Sequence, residues 1–131
     1  FEEYKDSFGK NRVGKSDIPE QEFLEFMCQS QLVVTPLDTE APAGLIAFYQ
    51  AAANGKMAIT SDTVTTQEYF VDGRGALCGR NIEDWKNTIQ YFLKHREEAD
   101  SSAEKFKRFL ENECSEEKYA KTLWGMLAEH R

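Results

Sequence analysis

Disulfide-like cysteine spacing, long apolar runs, histidine clusters and an excess of positive charge are all missing from this sequence. Its three cysteines, Cys28, Cys78 and Cys114, lie far apart without any C-x-x-C spacing. A disulfide framework and a cysteine zinc site are therefore not expected, and a reducing cytoplasm is the simplest compartment. No apolar run approaches the roughly 18 residues of a membrane-spanning helix, and no signal-peptide pattern is visible. The two histidines, His95 and His130, sit apart among charged residues with no H-x-x-x-H or carboxylate spacing, so no metal is expected and neither is assigned acid–base duty. Lys and Arg number 16 against 23 Asp and Glu, a formal charge of −7. Non-specific capture of nucleic acid or of an anionic membrane needs clustered cations and is not expected.

What is present describes a folded chain. With 131 residues, 40% of them hydrophobic and 30% charged, the composition is that of one globular domain with one core. The chain begins at Phe1 without an initiator Met, which suggests a portion of a longer protein.

Ser16-Asp17-Ile18-Pro19-Glu20 predicts a helix start, with Asp17 as N-cap and Glu20 placed for a capping box. Phe23, Leu24, Phe26 and Met27 supply its apolar face to about Ser30. QLVVTPL is a β-branched run closed by Pro36 and reads as a buried strand. GLIAFYQAAANG is rich in helix formers and stops at Asn54-Gly55, and KMAIT is a further short strand. Two parallel strands about such a helix make a right-handed βαβ unit. The tract around NRVGK is a candidate earlier strand, and Gly75 to Cys78 a later one.

From Asn81 onward the pattern turns helical. Ile82, Trp85, Ile89, Phe92 and Leu93 share one face, with Asn81 as cap. Ser101 and Glu104 form an S-x-x-E capping box ahead of Phe106, Phe109 and Leu110. Ser115 opens a last helix striped by Tyr119, Leu123, Met126 and Leu127. The fold class expected is α/β, a partial Rossmann-like parallel sheet with flanking helices and a helical C-terminal region. The whole of 1–131 reads as a single domain, 1–80 its α/β segment and 81–131 its helices.

In open α/β sheets, ligands bind beyond the carboxyl ends of the strands. The turn from Leu37 to Gly44 lies there. Backbone N–H groups of Ala43, Gly44 and Leu45 at the helix start suit a diphosphate, each such contact contributing about 0.3–1 kcal/mol. Glu40, just before, suits hydroxyl groups such as those of a sugar. The same residues also make a purely structural turn: acidic side chains favour helix N-termini, and Pro and Gly belong in turns without any ligand.

The stretch LVVTPLDTEAPAGLIAFYQAAANGKMAITSDTVTTQEYFVDGRGALC resembles the donor-binding segment of group 1 glycosyltransferases with the GT-B architecture. The counterparts of that family's motifs are Pro36, Glu40, Gly44-Leu45, Gln50 through Gly55, Ile59, Glu68, Gly73 and Gly75 through Leu77. The resemblance implies the C-terminal part of an enzyme that transfers a sugar from a nucleotide diphosphate sugar to an acceptor, in polysaccharide or glycoconjugate synthesis. The acceptor, a saccharide or lipid, is not specified. By position, Glu40 would contact the donor sugar, the amides of Ala43, Gly44 and Leu45 the diphosphate, and Gln50 the ribose. No catalytic residue, metal or cofactor is implied beyond the nucleotide sugar as co-substrate. Glu68 would open a helix near the donor, and Arg74 and Arg80 are the nearest candidate cations for the diphosphate, solvated loop roles being their other reading.

Two departures from the pattern stand out. Gln50 replaces the second glutamate of the motif and lies ten positions after Glu40 instead of eight. A neutral partner for the ribose weakens its hydrogen bonds by about 1 kcal/mol. The family's Arg/Lys pair and its separate N-terminal domain have no counterpart in these residues, so the chain is not expected to transfer sugar by itself. Trp85, Trp124 and the Phe-rich stripes are expected in the core or against that further domain; apolar surface left uncovered would drive self-association. The alternative function is a non-catalytic nucleotide-sugar-binding or interaction module of the same fold. A phosphoacceptor receiver domain is a third and poorer fit, since no acidic pair follows an early apolar strand and no strand ends in a lone Asp with a later Lys at the end of another. The three cysteines read as small apolar fillers.

Overall fold

The computed structural model describes residues 17–40 and 45–129. The elements run α1 (Glu20–Gln29), β1 (Leu32–Thr35), α2 (Leu45–Ala53), β2 (Met57–Ser61), α3 (Val64–Tyr69), β3 (Ala76–Cys78), α4 (Ile82–Lys94), α5 (Arg96–Glu113) and α6 (Glu116–Glu129). The strands form one parallel sheet in the order β1-β2-β3, with Val33 opposite Ala58 and Thr60 opposite Leu77. This is the expected α/β class with flanking helices. The candidate strand around NRVGK lies outside the described residues.

The pattern of β2 explains the layers. All five of its residues are buried, because the strand is central and covered on both faces. Side chains alternate along it. Ala58 joins Met27, Phe48, Ala51, Ala52, Phe70 and Phe106 in one cluster, under α2 and the second half of α5. Met57 and Ile59 join Cys78 and Ala99 in the other, against which Trp85, Ile89 and Phe92 of α4 pack. Alanines at 51, 52 and 58 bring α2 close to the sheet, and Phe48 fills the space beside them with no exposed surface. Its ring meets Phe70 edge-on at 5.0 Å between centroids.

Helix ends follow local chemistry in most places. Gly55 takes φ 67° after α2, as a left-handed stop requires. The Asn81 side chain accepts from the Glu83 N–H at 3.0 Å and caps α4. Three expectations are corrected. At α1 the cap position is Pro19, with no side-chain cap bond; Asp17 precedes it at φ 53°. Ser101 does not cap a helix, since α5 already begins at Arg96, and Glu97 and Glu98 occupy its favourable first turn. Glu68 falls in the last turn of α3, not at its start.

The aromatic and cysteine expectations divide. Trp85 is half-buried, but Trp124 on α6 is 69% exposed. Cys78 is a buried filler, whereas Cys28 and Cys114 are exposed. No described helix is long and apolar enough to cross a membrane.

Candidate functional site

All three strands terminate at the same end of the sheet, and their loops line one open cavity of about 380 Å³. Pro36 to Glu40 come from the end of β1, Ser61 to Thr63 from β2, and Cys78 to Arg80 from β3, with Trp85 from α4 closing the rim. Parallel strands put their loops together at one end, which is why residues so distant in sequence converge.

The loop after β1 is pinned to β2. The Ser61 hydroxyl accepts from the Leu37 N–H at 2.7 Å and donates to the Leu37 carbonyl at 2.8 Å. One buried hydroxyl thus holds both main-chain groups of Leu37 and fixes Asp38 to Glu40 over the cavity. The Asp62 N–H donates to the Cys78 carbonyl at 2.8 Å, prolonging the ladder between β2 and β3. Gln67 donates from its side-chain amide to the Asp62 carboxylate at 2.7 Å.

Glu40 stands at the start of α3. One of its carboxylate oxygens accepts from the Val64 N–H at 3.0 Å, an anion on the positive end of a helix. A carboxylate has about four acceptor sites, and among the described residues the Val64 N–H takes one of them. Behind it Thr63 and Thr66 cap α3 reciprocally: the Thr66 N–H donates to the Thr63 hydroxyl at 3.1 Å and the Thr63 N–H to the Thr66 hydroxyl at 2.9 Å. That box holds the floor of the loop rigid.

On the β3 side, the Trp85 indole N–H donates to the Gly79 carbonyl at 2.8 Å. Burial pushes the Cys78 thiol up from its ordinary value, opposed by a hydrogen bond with Thr88 and reinforced by the nearby Asp84. The sulfur is therefore a neutral wall group, not a nucleophile. Asp38, Glu40 and Asp62 supply acceptors and Arg80 a cation. Such a set suits a hydroxyl-rich ligand that also carries an anionic part.

The structure brings together only part of the residues singled out by sequence. Glu40 and Arg80 share the cavity; Ala43 and Gly44 lie outside the described residues; Leu45 is the first residue of α2 and packs on the core. Gln50 lines a different, more apolar depression with Tyr49, Ala53, Tyr69, Leu110 and Cys114. Burial and hydrogen bonding with Tyr69 push the Tyr49 phenol well above its ordinary range there. Arg74 lines neither depression. Its Nε donates to the Tyr69 carbonyl at 2.8 Å and its guanidinium lies 3.9 Å over the Phe109 ring, so it is a structural clamp. His95 stacks on Tyr91 at 4.0 Å, away from the cavity.

Asp38, Asp62, Thr63 and Trp85 were not singled out as site residues by sequence. Their common signal is position, the first residues beyond the carboxyl ends of parallel strands or in the helix that follows. Among the described residues, no group of three His, Cys, Asp or Glu is placed to hold a metal ion.

Comparison with curated proteins and with solved structures found no match. The family model described as glycosyl transferase-like matches residues 2–124, which takes in every element from α1 to β3 and most of the helical region. With a parallel sheet whose strand ends open into one polar cavity, the chain belongs to the glycosyl transferase-like family and to the transferase class that this family represents.

Proposed function

We propose that this chain is the donor-binding part of a GT-B glycosyltransferase and that the cavity at the strand ends receives the sugar of a nucleotide diphosphate sugar. The observation that carries this reading is the convergence of all three strand-end loops, Glu40 among them, on one cavity in a chain of this family. Glu40 accepts hydroxyl groups of the sugar while its second contact, the Val64 N–H, keeps the carboxylate in place. The diphosphate lies toward the start of α2, where the amides of Ala43, Gly44 and Leu45 receive it, and Arg80 supplies the cavity's cation. The same reading gives the ribose to Gln50, which requires the nucleoside to leave the cavity and reach the separate depression that Gln50 lines. Acceptor-side groups belong to a separate N-terminal domain and the family's basic Arg/Lys pair to an earlier part of this same domain, and the product belongs to polysaccharide or glycoconjugate synthesis.

Ligand-observed NMR with UDP-, GDP- and ADP-sugars on the folded chain tests this. One nucleotide series is expected to bind, and Glu40→Ala to weaken it at least about tenfold, the value of one or more hydrogen bonds to a charged acceptor. Gln50→Ala is expected to weaken nucleoside diphosphate and nucleotide sugar alike. Undiminished binding by Glu40→Ala would remove the cavity from the donor site, and absence of binding by a folded chain would end the reading.

A further inference from the structure

The donor reading leaves one wall of the cavity without a task. Trp85 projects from the first turn of α4, and its ring is divided between two environments. One part packs on the cluster of Met57, Ile59, Cys78 and Ala99, and another lines the cavity. The indole has a single hydrogen-bond donor, and the Gly79 carbonyl already takes it at 2.8 Å. The rest of the ring is carbon, so what it offers to the cavity is apolar aromatic surface, held by that hydrogen bond and by the core behind it.

We propose that Trp85 is the platform on which the pyranose ring of the donor stacks, making it a specificity-determining residue of the site. This rests on the reading of the cavity as the donor-sugar site. A pyranose has two kinds of surface: a face of C–H bonds, which are weakly positive, and a rim of hydroxyl groups. The negative face of an indole suits the first, and carboxylates suit the second. The cavity supplies both within one enclosure, Trp85 on one hand and Asp38, Glu40 and Asp62 on the other. A planar nucleobase would also stack on an indole, but its few in-plane N–H donors lie along one edge, whereas the hydroxyl groups around a pyranose rim can reach acceptors on several loops at once, so the sugar is the better occupant.

The chain has two tryptophans, and Trp124 is 69% exposed, so Trp124→Phe leaves Trp85 as the sole indole without disturbing the fold. Fluorescence of that variant is read during titration with UDP-glucose, UDP-galactose, UDP-N-acetylglucosamine and GDP-mannose, and in parallel with UDP and GDP. The nucleotide sugar that binds by NMR is expected to change the Trp85 emission, and the matching nucleoside diphosphate to leave it unchanged. In a second arm, Trp85→Ala is expected to reduce affinity for that nucleotide sugar roughly two- to tenfold while affinity for the nucleoside diphosphate stays the same. Trp85→Phe, which keeps an aromatic face, should recover most of the loss.

An emission change with the nucleoside diphosphate alone would mean that the base stacks there and would overturn the proposal. So would a silent Trp85 in the presence of a nucleotide sugar that NMR shows to bind, although the donor reading would then survive. If none of the nucleotide sugars binds the folded chain, both fall together.

Discussion

At the scale of single residues, Gly75 shows how little freedom the region around the site has. It takes φ 63°, its N–H donates to the buried Ser102 hydroxyl at 2.8 Å, and a Cβ there would lie 2.5 Å from two ring carbons of Phe70 and 2.8 Å from the Ala58 carbonyl. Phe70 cannot retreat, since Phe48 and Phe106 each hold it edge-on at 5.0 Å. In sequence, Gly75 is one of the counterparts of the family's motifs; in the structure it makes a close approach to the protein's own core. Gly75→Ala combines a left-handed alanine, about 1–2 kcal/mol, with overpacking of about 1–3 kcal/mol. Urea unfolding is expected to show a loss of about 3 kcal/mol; a loss below about 1 kcal/mol would mean that the turn and Phe70 relax together.

Among the elements, α3 is the one whose start was misplaced, at Glu68 on the family resemblance instead of Val64, and the cause is local. Thr63-Val64-Thr65-Thr66 is a β-branched run and reads as extended chain by propensity. A reciprocal cap overrides that tendency, because the Thr66 hydroxyl accepts from the Thr63 N–H and also donates to the Ser61 carbonyl at 2.7 Å. Propensity is a per-residue average, and a buried hydrogen-bond network of three residues outweighs it. By contrast β1, α2, β2, α4 and α6 were legible as elements from their short β-branched runs or their helical stripes, although β1, expected as a buried strand, has none of its four residues buried and leaves Val34 exposed. The α4–α5 boundary was not legible, because the break at His95 leaves no Gly or Pro signal in the sequence. Of the residues that line the cavity, Glu40 and Arg80 had been singled out from the sequence, while Asp62, Thr63 and Trp85 had not, because only the sheet order brings three loops together. Thr66→Val keeps the side-chain shape and removes the hydroxyl, leaving the Thr63 N–H without its partner in a buried place. It is expected to cost about 1–3 kcal/mol in thermal or urea unfolding. Thr65→Val, one residue earlier and half-buried, is the control and should cost well under that.

The whole molecule is unequal in how firmly its parts are held. β2 is buried along its full length, α2 and α5 close over it, and the cavity opens at the ends of these well-packed strands. Among the described residues α6 buries none of its side chains; Tyr119 is 71% exposed, Trp124 69%, Met126 58%, Leu127 54% and Leu123 44%. Its internal ion pair, Lys121 with Glu117 at 2.6 Å, is a surface i,i+4 contact that contributes only about 0.2–0.5 kcal/mol. A helix of 14 residues that buries none of its side chains is marginal in water. Hydrogen exchange should therefore grade across the chain: amides of β2 and of α2 exchange only on global unfolding, and those of α6 exchange early through local fraying. Mass-spectrometric exchange on the intact chain at low concentration reads this directly. Protection of α6 equal to that of β2 would mean that its apolar stripe is covered in solution, and the picture of a sheet-centred body with a weakly held last helix would have to be abandoned.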